Sequence, residues 1–260
     1  MRFMTTSHRS LLKGMMSSTS VLFVERHIGR VATGRSSSHS TRICVNALAT
    51  EKKEFELFTR EEGKWLVSLS RKAARLYLES GTRLHPPADT PQKMMVNHGA
   101  FVTLRTFPEG ELRGCIGRPD PAMPLVQAVI DSAIDSASHD PRFDPLPASS
   151  LEKCTFEVSV LTRPTLLKVV NPLEYKKAVV VGRDGLIVEW DQGAGLLLPQ
   201  VPVEENWDVD TYLAYACMKA GAHPDYWLIG NLKLYTFQAE VFAELSPLGE
   251  VTKKSLGDRK

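Results

Sequence analysis

The spacing of apolar residues along this 260-residue chain predicts both helices and strands. Between residues 54 and 80, apolar side chains recur at steps of three and four, which is typical of the buried side of an amphipathic helix. They are Phe55, Phe58, Trp65, Leu66, Leu69, Ala73, Leu76 and Tyr77. The same spacing predicts a second helix over residues 121–138 and a third near residues 208–220.

Strict alternation of apolar and polar residues predicts the strands. The clearest is 154–160, and residues 99–106 and 111–117 read as two strands around Pro108-Glu109-Gly110. Shorter strands are expected at 179–181, 186–190 and 195–199, and a longer closing strand at 232–242. Because strands outnumber helices and tight turns join neighbouring strands, the sequence predicts an α+β fold with an antiparallel sheet flanked by helices.

Composition divides the chain into residues 1–50, 51–246 and 247–260. The first part contains seven Lys or Arg and a single acid, Glu25, so it resembles an organellar transit peptide or a plain disordered extension. Residues 51–246 are expected to hold the fold, and residues 247–260 to form a flexible tail.

Several classes of function are disfavoured by the same composition. Beyond residue 50 the chain is net acidic, which argues against a broad nucleic-acid surface. No apolar run approaches the roughly 20 residues of a membrane span. Four scattered cysteines without a CxxC pair do not predict a disulfide framework. Walker, HExxH and GxSxG motifs are absent from the sequence, so no metal or cofactor is predicted.

The segment with the most chemistry is Leu112-Arg113-Gly114-Cys115-Ile116-Gly117. Alternation would put Arg113 and Cys115 on one face of a strand, where a guanidinium favours the reactive thiolate. Glycine within a strand often marks close approach by another group, so Gly114 and Gly117 are candidate ligand-binding positions.

A register can be predicted for the two strands around residues 108–110. If the apolar residues of both strands share one face, Thr103 lies opposite Cys115, and Arg105 lies opposite Arg113. Two facing arginines repel unless an anion lies between them, and that anion would be Glu157 or a ligand. The sequence therefore predicts a polar pocket lined by these arginines, Cys115 and Glu157. In the alternative interpretation, the arginines are solvated and Cys115 is a small buried filler.

Three further features are candidates for the same pocket or for helix ends. His139 follows the second helix and would act as an acid or base on Cys115 if it reaches that thiol; otherwise it is part of a helix exit. Gln200 lies in a proline-bounded connector and is a candidate pocket residue. The acidic run that includes Glu204 and Asp208 is expected to cap the third helix.

The segment 112–117 also resembles the signature of the AMMECR family. Other blocks that resemble this family follow in the family's order, and they include Asp140-Pro141-Arg142-Phe143, Glu157-Val158-Ser159-Val160-Leu161 and the residues 196–203. The resemblance implies an α+β fold with a larger and a smaller subdomain and a cleft near the hexapeptide. It also implies a Memo-type protein partner and a radical S-adenosylmethionine protein as companions of prokaryotic relatives.

The resemblance does not supply a reaction, because the family's activity is not established. Two classes of function stay open. The protein is either a ligand- or partner-binding module with an anion-binding cleft around Arg113 and Cys115, or an enzyme or enzyme subunit in which Cys115 and His139 are catalytic. Location stays open too: cytoplasm, nucleus as reported for eukaryotic relatives, or mitochondrion if the basic N-terminus directs import.

Overall fold

The computed structural model describes residues 57–229 and 231–255. Residues 1–50, interpreted from the sequence as a transit peptide or a disordered extension, lie outside that range. In the described residues no helix is both long and apolar enough to cross a membrane.

The first helix, α1 (Arg60–Ser80), is defined by its two ends. The Thr59 side chain accepts from the Glu62 backbone N–H while the Glu62 carboxylate accepts from the Thr59 N–H, which is a capping box. Gly81 ends the helix at a φ of 70°, where a glycine has no Cβ to clash. The helix begins later than its apolar pattern predicted, because the N–H groups of Leu57 and Phe58 donate instead to the Glu240 carboxylate.

A five-stranded antiparallel sheet forms the larger half of the structure. Its strands are β1 (Gly99–Thr106), β2 (Leu112–Arg118), β3 (Cys154–Leu161), β8 (Ala239–Glu244) and β9 (Val251–Lys254), in the order β2-β1-β3-β8-β9. One face packs against α1 and α2 (Leu125–Ser138). The apolar faces of the two helices and of the sheet form the first hydrophobic core, which includes Leu66, Ile130, Leu104 and Phe156.

A four-stranded antiparallel sheet forms the smaller half. It contains β4 (Thr165–Leu166), β5 (Gly185–Trp190), β6 (Gly193–Leu197) and β7 (Lys233–Phe237), in the order β4-β7-β5-β6. The helices α3 (Tyr175–Ala178), α4 (Val201–Glu204), α5 (Val209–Lys219) and α6 (Tyr226–Ile229) lie in the same part of the chain. The second hydrophobic core joins this half to the other face of the larger sheet through Phe101, Leu112 and Cys115.

The α+β class with antiparallel sheets flanked by helices is therefore confirmed, although there are two sheets rather than one. The strand predicted over residues 232–242 is in fact two strands, β7 and β8, which belong to different sheets. The chain changes sheets at Gln238, whose N–H donates to Thr162 Oγ1 and whose carbonyl accepts from the Thr162 N–H. Residues 179–181, predicted as a strand, do not form one: a turn begins at residue 181, and the Asp184 carboxylate accepts from the Val180 N–H.

The prediction of a flexible tail from residue 247 is wrong for Val251–Lys254. These residues form β9 and pair with β8 over Val241–Glu244. Val251 is the one apolar residue among these four, so the segment gave no apolar signal for a strand. The consequence for the site is that Lys254 is held beside the larger sheet.

Candidate functional site

The pairing of β1 with β2 differs from its prediction at one point. Thr103 lies opposite Cys115 and Leu104 opposite Gly114, but Arg105 then lies opposite Leu112. One residue of β2 is therefore unpaired, which is the definition of a β-bulge. The prediction that Arg105 faces Arg113 is wrong, because Arg113 is that extra residue.

The bulge moves Arg113 away from the side of the sheet that carries Cys115. Leu112 packs with Cys115 in the second core, where alternation had predicted the arginine. The Arg113 guanidinium donates to the Asp144 carbonyl at 2.7 Å and lies 5.6 Å from the centre of the Phe143 ring. The predicted Arg113–Cys115 pair is thus not formed.

Both glycines of the hexapeptide make room for other parts of the same chain. A Cβ on Gly114 would lie 1.9 Å from the Ser136 carbonyl oxygen of α2, and one on Gly117 would lie 2.0 Å from the Phe101 ring. The close approach that the sequence predicted at these positions is therefore made by a helix and by an aromatic side chain. Their candidate role in ligand binding has this packing explanation instead.

We expect Gly114→Ala to lower the free energy of unfolding by about 1–3 kcal/mol, the usual cost of an added methyl group in a well-packed core. The obstacle is the backbone of α2 rather than a movable side chain, so relief requires a shift of the whole helix. Urea denaturation checks the value, and a loss below about 0.5 kcal/mol would show that α2 moves freely.

An ion pair holds the backbone of Cys115 at the outer edge of β2. The Asp140 Oδ2 accepts from the Cys115 N–H at 2.8 Å, and the Arg142 guanidinium donates to the Cys115 carbonyl at 3.2 Å. The two side chains bind each other through Nε–Oδ1 at 2.9 Å and a terminal guanidinium nitrogen–Oδ2 at 2.7 Å. We call Asp140 and Arg142 the Cys115 brace. From the sequence, Asp140 and Arg142 were acid–base candidates on the loop after the second helix, and Asp140-Pro141-Arg142 lies in one of the family-like blocks; their hold on the Cys115 backbone was not predicted.

The Cys115 side chain is a buried thiol. It is 2% exposed, and its Sγ lies 3.1 Å from Thr103 Oγ1. Burial raises its pKa to about 12, even though the Thr103 hydrogen bond and the charge of Arg142 act in the opposite direction. The expected thiolate is therefore absent at neutral pH.

His139 does not join this thiol. Its Nδ1 lies 3.2 Å from Asp135 Oδ1 and 3.1 Å from Ser138 Oγ, and its ring packs near Tyr77 of α1. These contacts belong to the end of α2, as the helix-exit interpretation predicted.

We expect iodoacetamide to modify Cys115 of the folded protein at pH 7.5 at least about 100-fold more slowly than it modifies glutathione, because the thiolate is the nucleophile and Cys115 is both buried and protonated. Peptide mapping by mass spectrometry after timed labelling measures the rate. Labelling of Cys115 as fast as glutathione would restore the interpretation of a reactive cysteine.

Charged side chains continue from Cys115 across the same face of the larger sheet. Glu157 lies opposite Thr103 on β3, and Lys254 donates to its carboxylate. A terminal nitrogen of Arg105 lies 3.7 Å from Glu204 Oε1. Burial raises the pKa of Glu204, while Arg105 opposes the shift. Glu157 thus pairs with Lys254 rather than with the predicted arginines.

The two acids predicted to cap the third helix, Glu204 and Asp208, have different roles in the structure. Asp208 caps α5 by accepting from the Thr211 N–H at 2.8 Å, as predicted. The Glu204 carboxylate instead pairs with Arg105 of β1, in the larger sheet.

Lys219, in the last turn of α5, is the cation that sequence reasoning missed. It is partly buried, and burial together with the charge of Arg142 lowers its pKa to about 8, while Cys115 acts in the opposite direction. Within residues 57–229 and 231–255 it forms no ion pair. The ordinary position of lysine at a helix C-terminus gave no signal for this environment.

Two polar atoms between the larger sheet and the smaller half are buried without a hydrogen-bond partner in the described part of the chain. They are Ser159 Oγ and Gln200 Oε1. The described residues contain no group of three His, Cys, Asp or Glu side chains that would hold a metal ion.

Residues 67–242 match the AMMECR1 family, and that match covers more than half of the chain. The chain belongs to the AMMECR1 family. A protein of Methanopyrus kandleri is 48% identical over 204 residues, covering 78% of this chain and 98% of the relative. A protein of Methanocaldococcus jannaschii is 46% identical over 200 residues, covering 77% and 98%.

A solved structure is similar as well. The crystal structure of an uncharacterised protein from Pyrococcus horikoshii has 46% sequence identity and a TM-score of 0.74, covering 77% of this chain and 100% of that chain. The AMMECR1 match includes the hexapeptide, the Cys115 brace, Gln200 and Lys219, but it stops before β9 and Lys254. The relatives carry no activity in their descriptions, so any function must come from the side chains themselves.

Proposed function

We propose that this AMMECR1-family protein is a binding module that holds an anionic group, a carboxylate or a phosphate, at Lys219 and Arg142 beside Cys115. The observation that carries the proposal is the partly buried ammonium of Lys219, which lacks a carboxylate partner among the described residues. An unpaired buried charge is costly, and a bound anion would remove that cost.

The charges around Lys219 favour an anion over a cation. Arg142 supplies a second positive charge that acts on Lys219. The Asp140 carboxylate is already engaged by Arg142 and by the Cys115 N–H. Arg113, the anion-binding residue predicted from the sequence, is not part of this proposal, because its guanidinium donates to the Asp144 carbonyl. Arg142 takes that role instead.

A binding role agrees better with Cys115 than a catalytic role does. A nucleophilic cysteine needs a thiolate, whereas burial raises the pKa of this thiol to about 12. His139, the predicted base, contacts Asp135 and Ser138 instead of Cys115. In the binding module, Cys115 fills the space next to Thr103, and the Cys115 brace fixes the edge of β2 against which the ligand would bind.

Thermal unfolding in sodium phosphate and in sodium chloride of equal ionic strength tests this proposal. At a phosphate concentration ten times its Kd, a binding site adds about 1.4 kcal/mol, which corresponds to a rise in Tm of about 3–5 °C for a domain of this size. We expect the rise in the wild type and in Lys168→Met, which removes an exposed lysine, but not in Lys219→Met. An equal rise in all three proteins, or none in the wild type, would contradict the proposal.

A further inference from the structure

Three large aliphatic side chains are exposed on adjoining segments of the smaller half. Val170 is 98% exposed, Ile229 82% and Leu173 55%. Leu173 lies in a 3₁₀ turn, Pro172–Glu174, and this turn packs against α6, which ends at Ile229. We call these three residues the Val170 surface. Single exposed apolar residues are ordinary, whereas a group of them is a feature of interaction sites.

Hydrogen bonds hold the backbone that carries the Val170 surface. The Val170 N–H donates to the Glu174 carboxylate at 3.0 Å, and the Leu173 N–H donates to Asn171 Oδ1 at 2.9 Å. The inward position beside Val170 is already filled, because Val169 packs against the second core. The exposed side chains therefore have no place in the core of this half, and a cover for them has to come from elsewhere.

Two opposite charges lie next to the Val170 surface without an ion pair. Glu174 and Lys177 both follow Leu173 closely in the chain, and both are exposed. They are three residues apart, a spacing at which opposite charges on a helix pair readily, yet neither forms an ion pair in the described part of the chain. Lys176, which lies between them, pairs with Asp210 instead.

A second copy of this chain offers both the apolar side chains and the charges that fit this surface. In a twofold-symmetric contact each surface meets itself, so apolar side chains face apolar side chains, and a carboxylate beside an ammonium meets the reverse arrangement. An anionic membrane or a uniformly acidic protein would be attracted by Lys177 but repelled by Glu174. The mixed charge thus favours self-association over a partner that carries one sign of charge.

We propose that two copies of this chain associate through the Val170 surface, with Glu174 of each copy paired to Lys177 of the other. The contact uses none of the residues assigned to the anion site. It therefore goes beyond the proposed function, and its test does not depend on whether an anion binds.

Sedimentation velocity of the full chain at concentrations from about 1 to about 200 µM tests the association. We expect a reversible dimer with a Kd in the micromolar range, as the weaker interfaces of ordinary size have. Val170→Asp and Ile229→Asp should each raise this Kd roughly tenfold or more, because each would bury an unpaired carboxylate in the contact. Leu245→Asp is the matched control: Leu245 is 60% exposed but follows β8 in the larger half, so the Kd should stay unchanged.

A charge exchange tests the proposed pairing of Glu174 with Lys177. Glu174→Lys and Lys177→Glu should each raise the Kd roughly fivefold, because like charges then face each other across the twofold axis. The double variant restores opposite charges and should return the Kd to within about twofold of the wild type. All the substituted side chains are exposed, so each variant is expected to keep its Tm within about 2 °C of the wild type.

Each outcome decides one part of the proposal. A wild type that stays monomeric at every concentration overturns it, and flotation with phosphatidylserine vesicles that Val170→Asp abolishes would then assign the surface to a lipid bilayer. A dimer that neither Val170→Asp nor Ile229→Asp weakens also overturns it, because another surface then makes the contact. If these variants weaken the dimer but the double charge variant does not restore it, the pairing of Glu174 with Lys177 is wrong.

Discussion

Arg71→Met is expected to lower the free energy of unfolding by about 3–5 kcal/mol, because removal of one partner leaves a buried charge uncompensated. Arg71 of α1 and Glu244 of β8 are 5% and 9% exposed. The guanidinium binds both oxygens of this carboxylate and donates to the carbonyls of Leu151 and Cys154. Glu244 also accepts from the Phe156 N–H, so the variant leaves several groups at the centre of the larger half without a partner.

Urea denaturation at pH 7 measures this loss, and Arg75→Met provides a matched control. Arg75 lies one turn further along α1 and pairs with Glu152 at 3.6 Å, but the side chains are 39% and 67% exposed. Exposed pairs of this kind contribute less than about 1 kcal/mol. Equal losses in the two variants would show that burial does not decide the strength of the Arg71 interaction.

Asp140→Asn is expected to lower the free energy of unfolding by about 3 kcal/mol, since it takes the counter-charge from the partly buried Arg142 and weakens the acceptor of the Cys115 N–H. Burial raises the pKa of Asp140, but hydrogen bonds from Arg142 and from the Cys115 backbone outweigh it, and the net pKa is lower than usual. The carboxylate therefore contributes stability above its unfolded pKa of about 3.9, and this contribution disappears as the pH falls through its folded pKa.

Denaturation of the wild type and of Asp140→Asn at pH 7 and at pH 3 checks both parts of this expectation. The difference between the two proteins should be largest at pH 7 and smaller at pH 3. Asp144→Asn is the control, because Asp144 is exposed and contacts Arg113 through its backbone carbonyl only; its effect should stay within about 0.5 kcal/mol. If the difference between the two proteins does not change with pH, the charge of Asp140 is not the source of its stabilising effect.

The parts of the fold that depend on local pattern could be predicted from the sequence. The two long helices and the main strands follow from the period of their apolar residues, and Thr103 was placed opposite Cys115 because both strands had to bury one face. The prediction was wrong beyond Leu104, where the strands pair out of step. A bulge adds one residue without changing the alternation of the letters, so Arg113 could not be distinguished from a paired residue.

The site was harder to predict than the fold, because its charged groups come from distant segments. The Cys115 brace lies 25 and 27 residues after the residue that it binds, and Lys219 lies on a helix of the smaller half. No spacing rule connects these positions. Gln200 was identified as a candidate because it lies in a stiff, proline-bounded connector and could point into a pocket, and its Oε1 is buried without a hydrogen-bond partner among the described residues.

The most direct test of the anion site is the pKa of the Lys219 side chain, measured by NMR with selectively labelled lysine in the absence and presence of phosphate. Without phosphate, we predict a pKa of about 8 rather than the ordinary 10.5, because burial and Arg142 disfavour the ammonium form. A bound phosphate stabilises the ammonium and should raise this pKa towards 10.5, while the pKa of the exposed Lys168 stays unchanged. A Lys219 pKa that phosphate does not alter would contradict the assignment of Lys219 as the anion-binding residue.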